Sequence, residues 1–223
     1  MTYLDGWTIA VIDAVLLCAL AYGVFNFFFR PSPMYFKFMT CAVLCYTLSE
    51  LLWTAYCFCY GEIPEGIMLF SLGYFACYLF MLSANYGPMD RLVDDGSRGA
   101  RRARGLAFIA PAALCLASVG FVFLNPGASL IYHVLTLFVQ IPKIFASYFN
   151  LKHILIKDEN YGLVGAVRVC NILALCIYAL DLIGWAFDLY GLTFGFYATS
   201  ILTPICLLVM LIAGKRGYKR WLN

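Results

Sequence analysis

Charge is what this chain has least of. Only 12% of its 223 residues are Asp, Glu, Lys or Arg, and 64% are apolar, where soluble domains carry about 25% charge. So little polar material cannot give every helix of a soluble domain a water-facing side, which excludes that class. Histidine is scarcer still: His133 and His153 are the only two, too few for a histidine-built metal centre. The sequence has no HExxH, no GxSxG and no glycine-rich phosphate loop, and Ser83, Ser118, Ser147 and Ser200 have no evident histidine at a shared depth. No catalytic residue, metal or cofactor is assigned, and the chain reads as a binding protein, not an enzyme. The seventh apolar run has no lysine at its middle, so a retinal Schiff base is excluded there.

Long apolar runs are what the chain does have. They fall at about 7–29, 34–58, 66–86, 105–125, 128–150, 163–188 and 192–214. A hydrocarbon core about 30 Å thick takes roughly 20 residues per helical crossing, so seven crossings use about 150 residues and leave no room for a second soluble domain. The runs are too long for strands and lack alternation, and only helices or closed barrels satisfy the backbone in lipid. Breakers separate them: Pro31-Ser32-Pro33, Gly61-Glu62-Ile63-Pro64, Asn125-Pro126-Gly127 and Asn160-Tyr161-Gly162. The fold class expected is an all-α integral membrane protein, one seven-helix bundle spanning 1–223. The first run carries Asp13 and no preceding positive charge, so it is not read as a cleaved signal. The ten cysteines lie mostly inside these runs, and Cys57 and Cys59 have an i,i+2 spacing that suits neither a zinc knuckle nor a redox pair. They read as small packing residues.

Orientation follows from where the cations are. Arg30 and Lys37 flank the first loop; Arg91, Arg98, Arg101, Arg102 and Arg104 fill the third; Lys152 and Lys157 mark the fifth; Lys215, Arg216, Lys219 and Arg220 form the tail. The N-terminus and the second, fourth and sixth loops have no Lys or Arg. The positive-inside rule then predicts a multi-pass cell-membrane protein with its N-terminus outside and its C-terminus in the cytoplasm. The basic tract at 96–104 is read as a loop and topology signal that could also meet anionic lipid or a cytoplasmic partner. Nucleic acid is not an expected partner of so short a basic loop. The oligomeric state stays open.

The second and sixth spans echo each other. Glu50-Leu51-Leu52-Trp53 leads to Tyr60-Gly61, and Asp181-Leu182-Ile183 passes Trp185 to Tyr190-Gly191, as a duplication of three helices joined by a fourth would produce. Glu50 and Asp181 lie about ten residues from the outer ends of their spans. A charge at mid-membrane costs about 2.5–3.5 kcal/mol on insertion scales, so each acid should face the bundle interior. Glu50 shares a helical face with Trp53, and Asp181 with Trp185. The fifth span adds His133, Gln140 and Lys143 around Pro142. Lys143 should pair with Glu50 or Asp181, and the sequence does not choose. These seven residues (Glu50, Trp53, Asp181, Trp185, Lys143, Gln140 and His133) are the candidate ligand-binding set. Interhelical hydrogen bonding that only fixes the fold is the competing reading. Asp13 is expected to reach the surface, and Lys37 and Arg168 to anchor at the interface.

Two resemblances follow from these residues. Tyr74 and Leu82-Ser83-Ala84-Asn85-Tyr86-Gly87, with the Leu124-Asn125-Pro126 turn and His133 after it, resemble the seven-helix N-terminal sensor domain of bacterial histidine kinases. That resemblance implies a sensor or receptor module which binds an unknown small ligand and signals through a separate cytoplasmic protein. The three-plus-one-plus-three layout is similar to the PQ-loop and SWEET small transporters and implies solute transport, with proton coupling through Glu50 and Asp181. The Pro-Gln dipeptide of that family is missing, Gln140-Ile141-Pro142 being the nearest approach.

Overall fold

The structure, a computed structural model, describes residues 6–60, 69–86, 90, 94, 96–156 and 164–219. Within them every long element is a helix: α1 (Gly6–Phe29), α2 (Met34–Tyr60), α3 (Leu69–Asn85), α4 (Arg98–Ala107), α5 (Ile109–Leu124), α6 (Leu130–Leu155), α7 (Val164–Leu189) and α8 (Thr193–Lys219). Six stretches are long and apolar enough to cross a membrane: α1, α2, the α4–α5 segment Arg98–Leu124, α6, α7 and α8. The apolar α3 is shorter, with 17 described residues, and the expected beginning of that span at 66–68 lies outside the described residues. An all-helical membrane bundle is what these helices form.

The distribution of side chains is inverted relative to a soluble protein. Phe58, Phe194 and Trp7 are more than four-fifths exposed, and Leu44, Leu48 and Leu52 line the outer side of α2. Thr40, Thr47, Ser49, Asn85, Gln140, Lys143, Ser147, Asn150, Asn171, Thr199 and Thr203 are buried. Exposed apolar surface on this scale marks contact with lipid. Hydroxyls inside are satisfied locally: Thr40, Thr47 and Thr203 each donate to the carbonyl four residues back.

Packing closes six helices into a ring. Neighbours run α1, α2, α3, α6, α7, α8 and back to α1, the closest pairs being α2 with α3 and α7 with α8. Glycine sets both close pairs. A Cβ on Gly184 of α7 would stand 2.9 Å from the Thr199 hydroxyl of α8, and one on Gly73 of α3 would collide with the Ser49 hydroxyl of α2. Small residues let helix backbones approach in lipid, where apolar burial between helices drives little. The α4–α5 segment lies outside the ring, with both helices packed against α6.

The basic tract expected as a loop is helical. Ser97 caps α4, its hydroxyl accepting from the Ala100 amide at 3.1 Å. Ala100, Ala103 and Ala107 recur at i, i+3 and i+7 and are buried, while Arg98, Arg101 and Arg102 point to solvent. Alanine supplies both the helix propensity and the narrow apolar stripe that this helix needs. Asp13 also departs from its expected place: one of its carboxylate oxygens is buried, and the carboxylate faces Thr54 of α2.

Candidate functional site

Two polar stripes face each other inside the ring. On α6, Gln140, Lys143, Ser147 and Asn150 follow at i, i+3, i+7 and i+10, and all four are at most 1% exposed. On α7 the same spacing places Asn171, Ala174, Tyr178 and Asp181 on one face, with Trp185 a turn further on. Pro142 sits inside α6 beside Lys143 without ending the helix.

Of the two acids the sequence offered, Lys143 pairs with Asp181. The lysine side chain has no solvent exposure, whereas Asp181 retains 22%. The ammonium also lies 4.4 Å from the centre of the Tyr78 ring and 5.2 Å from that of Trp185. A carboxylate and two aromatic faces thus enclose the cation, an arrangement in which electrostatic attraction to the rings adds to the ion pair. Trp185 is held from behind by Phe121 of α5, with ring centres 5.3 Å apart.

Glu50 has a different environment. It accepts a hydrogen bond from the Tyr74 hydroxyl at 2.8 Å. Tyr46, one turn earlier on α2, meets Tyr74 edge-on at 5.2 Å. Glu50 and Asp181 both lie within electrostatic range of the Tyr46 and Tyr74 hydroxyls, and Asp13 within range of Glu50. Gln140 lies one turn from Lys143 on the same buried face, and neither of its amide atoms has a hydrogen-bond partner. His133, two turns from Gln140 on α6, is half-buried with Nδ1 unpartnered. Trp53 is half-buried on α2. No described contact joins His133 or Trp53 to the Lys143 enclosure. The structure therefore brings Lys143, Asp181 and Trp185 into direct contact and sets Glu50 with two tyrosines.

A second group, which the sequence reading missed, continues from this enclosure to the basic end of the bundle. Tyr78 meets Tyr178 edge-on at 5.7 Å. The Tyr178 hydroxyl accepts from Asn150 Nδ2 at 3.3 Å, and Asn85 Nδ2 donates to Asn150 Oδ1 at 2.8 Å. His153 stands between Asn85 Oδ1 at 3.3 Å and Asp90 Oδ1 at 3.1 Å. Lys152 bridges Asp90 at 2.6 Å and Asp94 at 2.8 Å, and Arg104 of α4 grips Asp94 through two bonds of 2.7 and 2.6 Å. Charge-assisted and forked bonds of this kind are the strongest hydrogen bonds available to a protein. Polar spacing along α6 was the one sequence signal for this chain of contacts, since Asn150 and His153 extend the Gln140–Lys143 stripe.

The Asp90 and Asp94 carboxylates respond to this setting. The Arg104 fork, with Lys152 and the Gly96 amide, holds Asp94 well below the ordinary carboxylate range. Burial pushes Asp90 up, but hydrogen bonds from His153 and Lys152 outweigh it and leave the group lowered. Groups with depressed folded values contribute fully above the ordinary value of 3.8 and lose that contribution as pH falls below it. Acidification from pH 5 to pH 2 should therefore loosen α4, raising its amide exchange several-fold after correction for the intrinsic pH effect. Asp94→Asn should show the loosened exchange already at pH 7 and a blunted acid response. An unchanged α4 in that variant would mean that the Asp94 fork does not hold it.

Among the described residues, no three His, Cys, Asp or Glu side chains converge as metal ligands. Set against known protein families, characterised proteins and solved structures, the chain matches none of them. The chemistry of the site itself is then what bears on function.

Proposed function

We propose that the chain is a seven-span receptor-type membrane protein, N-terminus outside and C-terminus cytoplasmic, that binds a small ligand inside the helix ring and signals to a separate cytoplasmic protein. The alternation of basic and non-basic loops supports the topology. The ligand chamber of this reading is built on Glu50, Asp181, Lys143, Trp185 and Gln140, with Trp53 and His133 as outer lining. One observation carries it: the unbroken series of side-chain contacts from Lys143 and Tyr78 through Tyr178, Asn150, Asn85, His153, Asp90 and Lys152 to Asp94 and Arg104. A ligand that redirects Asp181 shifts Lys143, and through that series the basic helix on the cytoplasmic side. Coupling of this kind requires an element with two arrangements biased from both ends, and α4 with its single acidic fork is the element proposed.

Hydrogen exchange on the whole chain in lipid nanodiscs tests this. Asp181→Asn should alter exchange across residues 98–107 while leaving α1 and α8 unchanged. Exchange altered only around residue 181, or raised throughout, would reduce the polar series to a fold-fixing role. A second reading, solute transport, draws on the neighbour order of the ring. In ring order a half-turn about the bundle axis would carry α1–α2–α3 onto α6–α7–α8, the helices of Glu50 and Asp181 changing places, while the α2–α8 contact has no α7–α3 counterpart of similar extent. Net accumulation of a solute in proteoliposomes would favour transport, and binding without flux the receptor.

A further inference from the structure

The outer half of the ring interior is short of positive charge. Asp13, Glu50 and Asp181 lie on α1, α2 and α7, Glu50 within electrostatic range of the other two, and among the described residues Lys143 is the cation that pairs with one of them. That lysine is already committed to Asp181 and covered by Tyr78 and Trp185. Glu50 is met by the Tyr74 hydroxyl and Asp13 by Thr54, both neutral donors; among the described residues no Lys or Arg forms an ion pair with either. Two carboxylates thus lack a counter-charge in a region where an unpaired ion is expensive.

Gln140 is an independent sign that something is received here. It is 1% exposed with both amide atoms unpartnered, where buried polar groups are nearly always hydrogen-bonded. It shares the inward face of Lys143, while its neighbours Phe138 and Ile141 face outward. One Asp13 carboxylate oxygen is likewise buried without a hydrogen-bond partner. Rings are also at hand, Tyr46 and Tyr74 standing edge-on beside Glu50.

We infer that this chamber takes a small organic ammonium, its charged nitrogen on Glu50 and Asp13 and a polar atom of the ligand on Gln140. The inference rests on the ligand-binding reading above and names the ligand class. The protein already uses this recognition once: carboxylate, tryptophan and tyrosine hold the Lys143 ammonium. The sequence echo repeats the acid and tryptophan as Glu50 and Trp53, but α1 offers Asp13 and no lysine. The ligand nitrogen supplies the missing cation. Aromatic faces favour an alkylammonium over a bare alkali ion, which needs a shell of oxygen ligands.

The test is calorimetric titration of the whole chain in nanodiscs at constant ionic strength. The probes are methylammonium, choline, putrescine and phenethylammonium, compared with neutral 2-phenylethanol and anionic phenylacetate. At least one ammonium should bind saturably, with neither 2-phenylethanol nor phenylacetate matching it. Glu50→Gln should weaken it tenfold or more and Asp13→Asn by a smaller factor. No ammonium binding, or equal binding of the neutral analogue, overturns the inference; a proton on Glu50 would then be the occupant. Phenylacetate binding that is lost in Gln140→Leu would overturn the cation class but keep the chamber. Silence from every probe removes both readings. If Glu50→Gln fails to fold, the ranking of probes on the unaltered chain still decides.

Discussion

Replacing Lys143 with Met should destabilise the bundle by about 3–5 kcal/mol, the range for removing one partner of a buried ion pair. Methionine keeps the length and most of the volume, so the loss reads the charge and not a cavity. What it leaves is the Asp181 carboxylate without the cation that pairs with it. The reverse substitution, Asp181→Leu, should be at least as damaging, because Lys143 is wholly buried whereas Asp181 keeps 22% exposure and can draw in water. Removing both charges together should recover most of the loss, since a buried pair is often replaceable by apolar groups at no net cost. Unfolding of the three variants by denaturing detergent measures this directly. Losses that simply add would mean that the two side chains are not coupled. A stable double variant whose exchange at α4 is still altered would show that the pair is kept for its function and not for stability.

The helices were legible because lipid imposes a length and a composition that nothing else in the sequence imitates. Their neighbours were not. A helical face can be read from spacing, but which face it meets depends on packing, so Lys143 had two candidate acids and only the structure joins it to Asp181. The basic end was read too short for a related reason. Apolar character fades after Asn150, yet α6 continues to Leu155 because Asn85, Asp90 and Asp94 satisfy Asn150, His153 and Lys152. Polar residues at a run's end look like an interface when their partners are distant in sequence. The tyrosines were hidden by abundance. With 16 in the chain, nothing marked Tyr46, Tyr74, Tyr78 and Tyr178 as interior ones. The Arg tract looked like a loop because its charge is conspicuous and its alanine stripe is not.

Gly73→Ala is the substitution expected to act most strongly on Glu50 without touching it. The added Cβ would collide with the Ser49 hydroxyl and stand 3.0 Å from the Cys45 carbonyl oxygen and 3.3 Å from Ser49 Cβ. Ser49 cannot easily turn aside, because its hydroxyl donates to Cys45 and Phe70 carbonyls at 3.0 and 2.9 Å, and the Cys45 oxygen is backbone. The remaining response is for α2 and α3 to part. Overpacking of this kind costs about 1–3 kcal/mol, set against a gain of up to about 1 kcal/mol for alanine in a helix, so the net sign is destabilising. Tyr74 follows Gly73 and Glu50 follows Ser49, which puts the bond between them one residue from the collision on both helices. The variant should therefore behave at the site like Tyr74→Phe. Ser49→Gly removes both colliding atoms, and the double variant should regain most of the stability that Gly73→Ala loses. If Gly73→Ala is neutral or stabilising on its own, α2 and α3 lie further apart than this, and Glu50 must be held by something other than Tyr74.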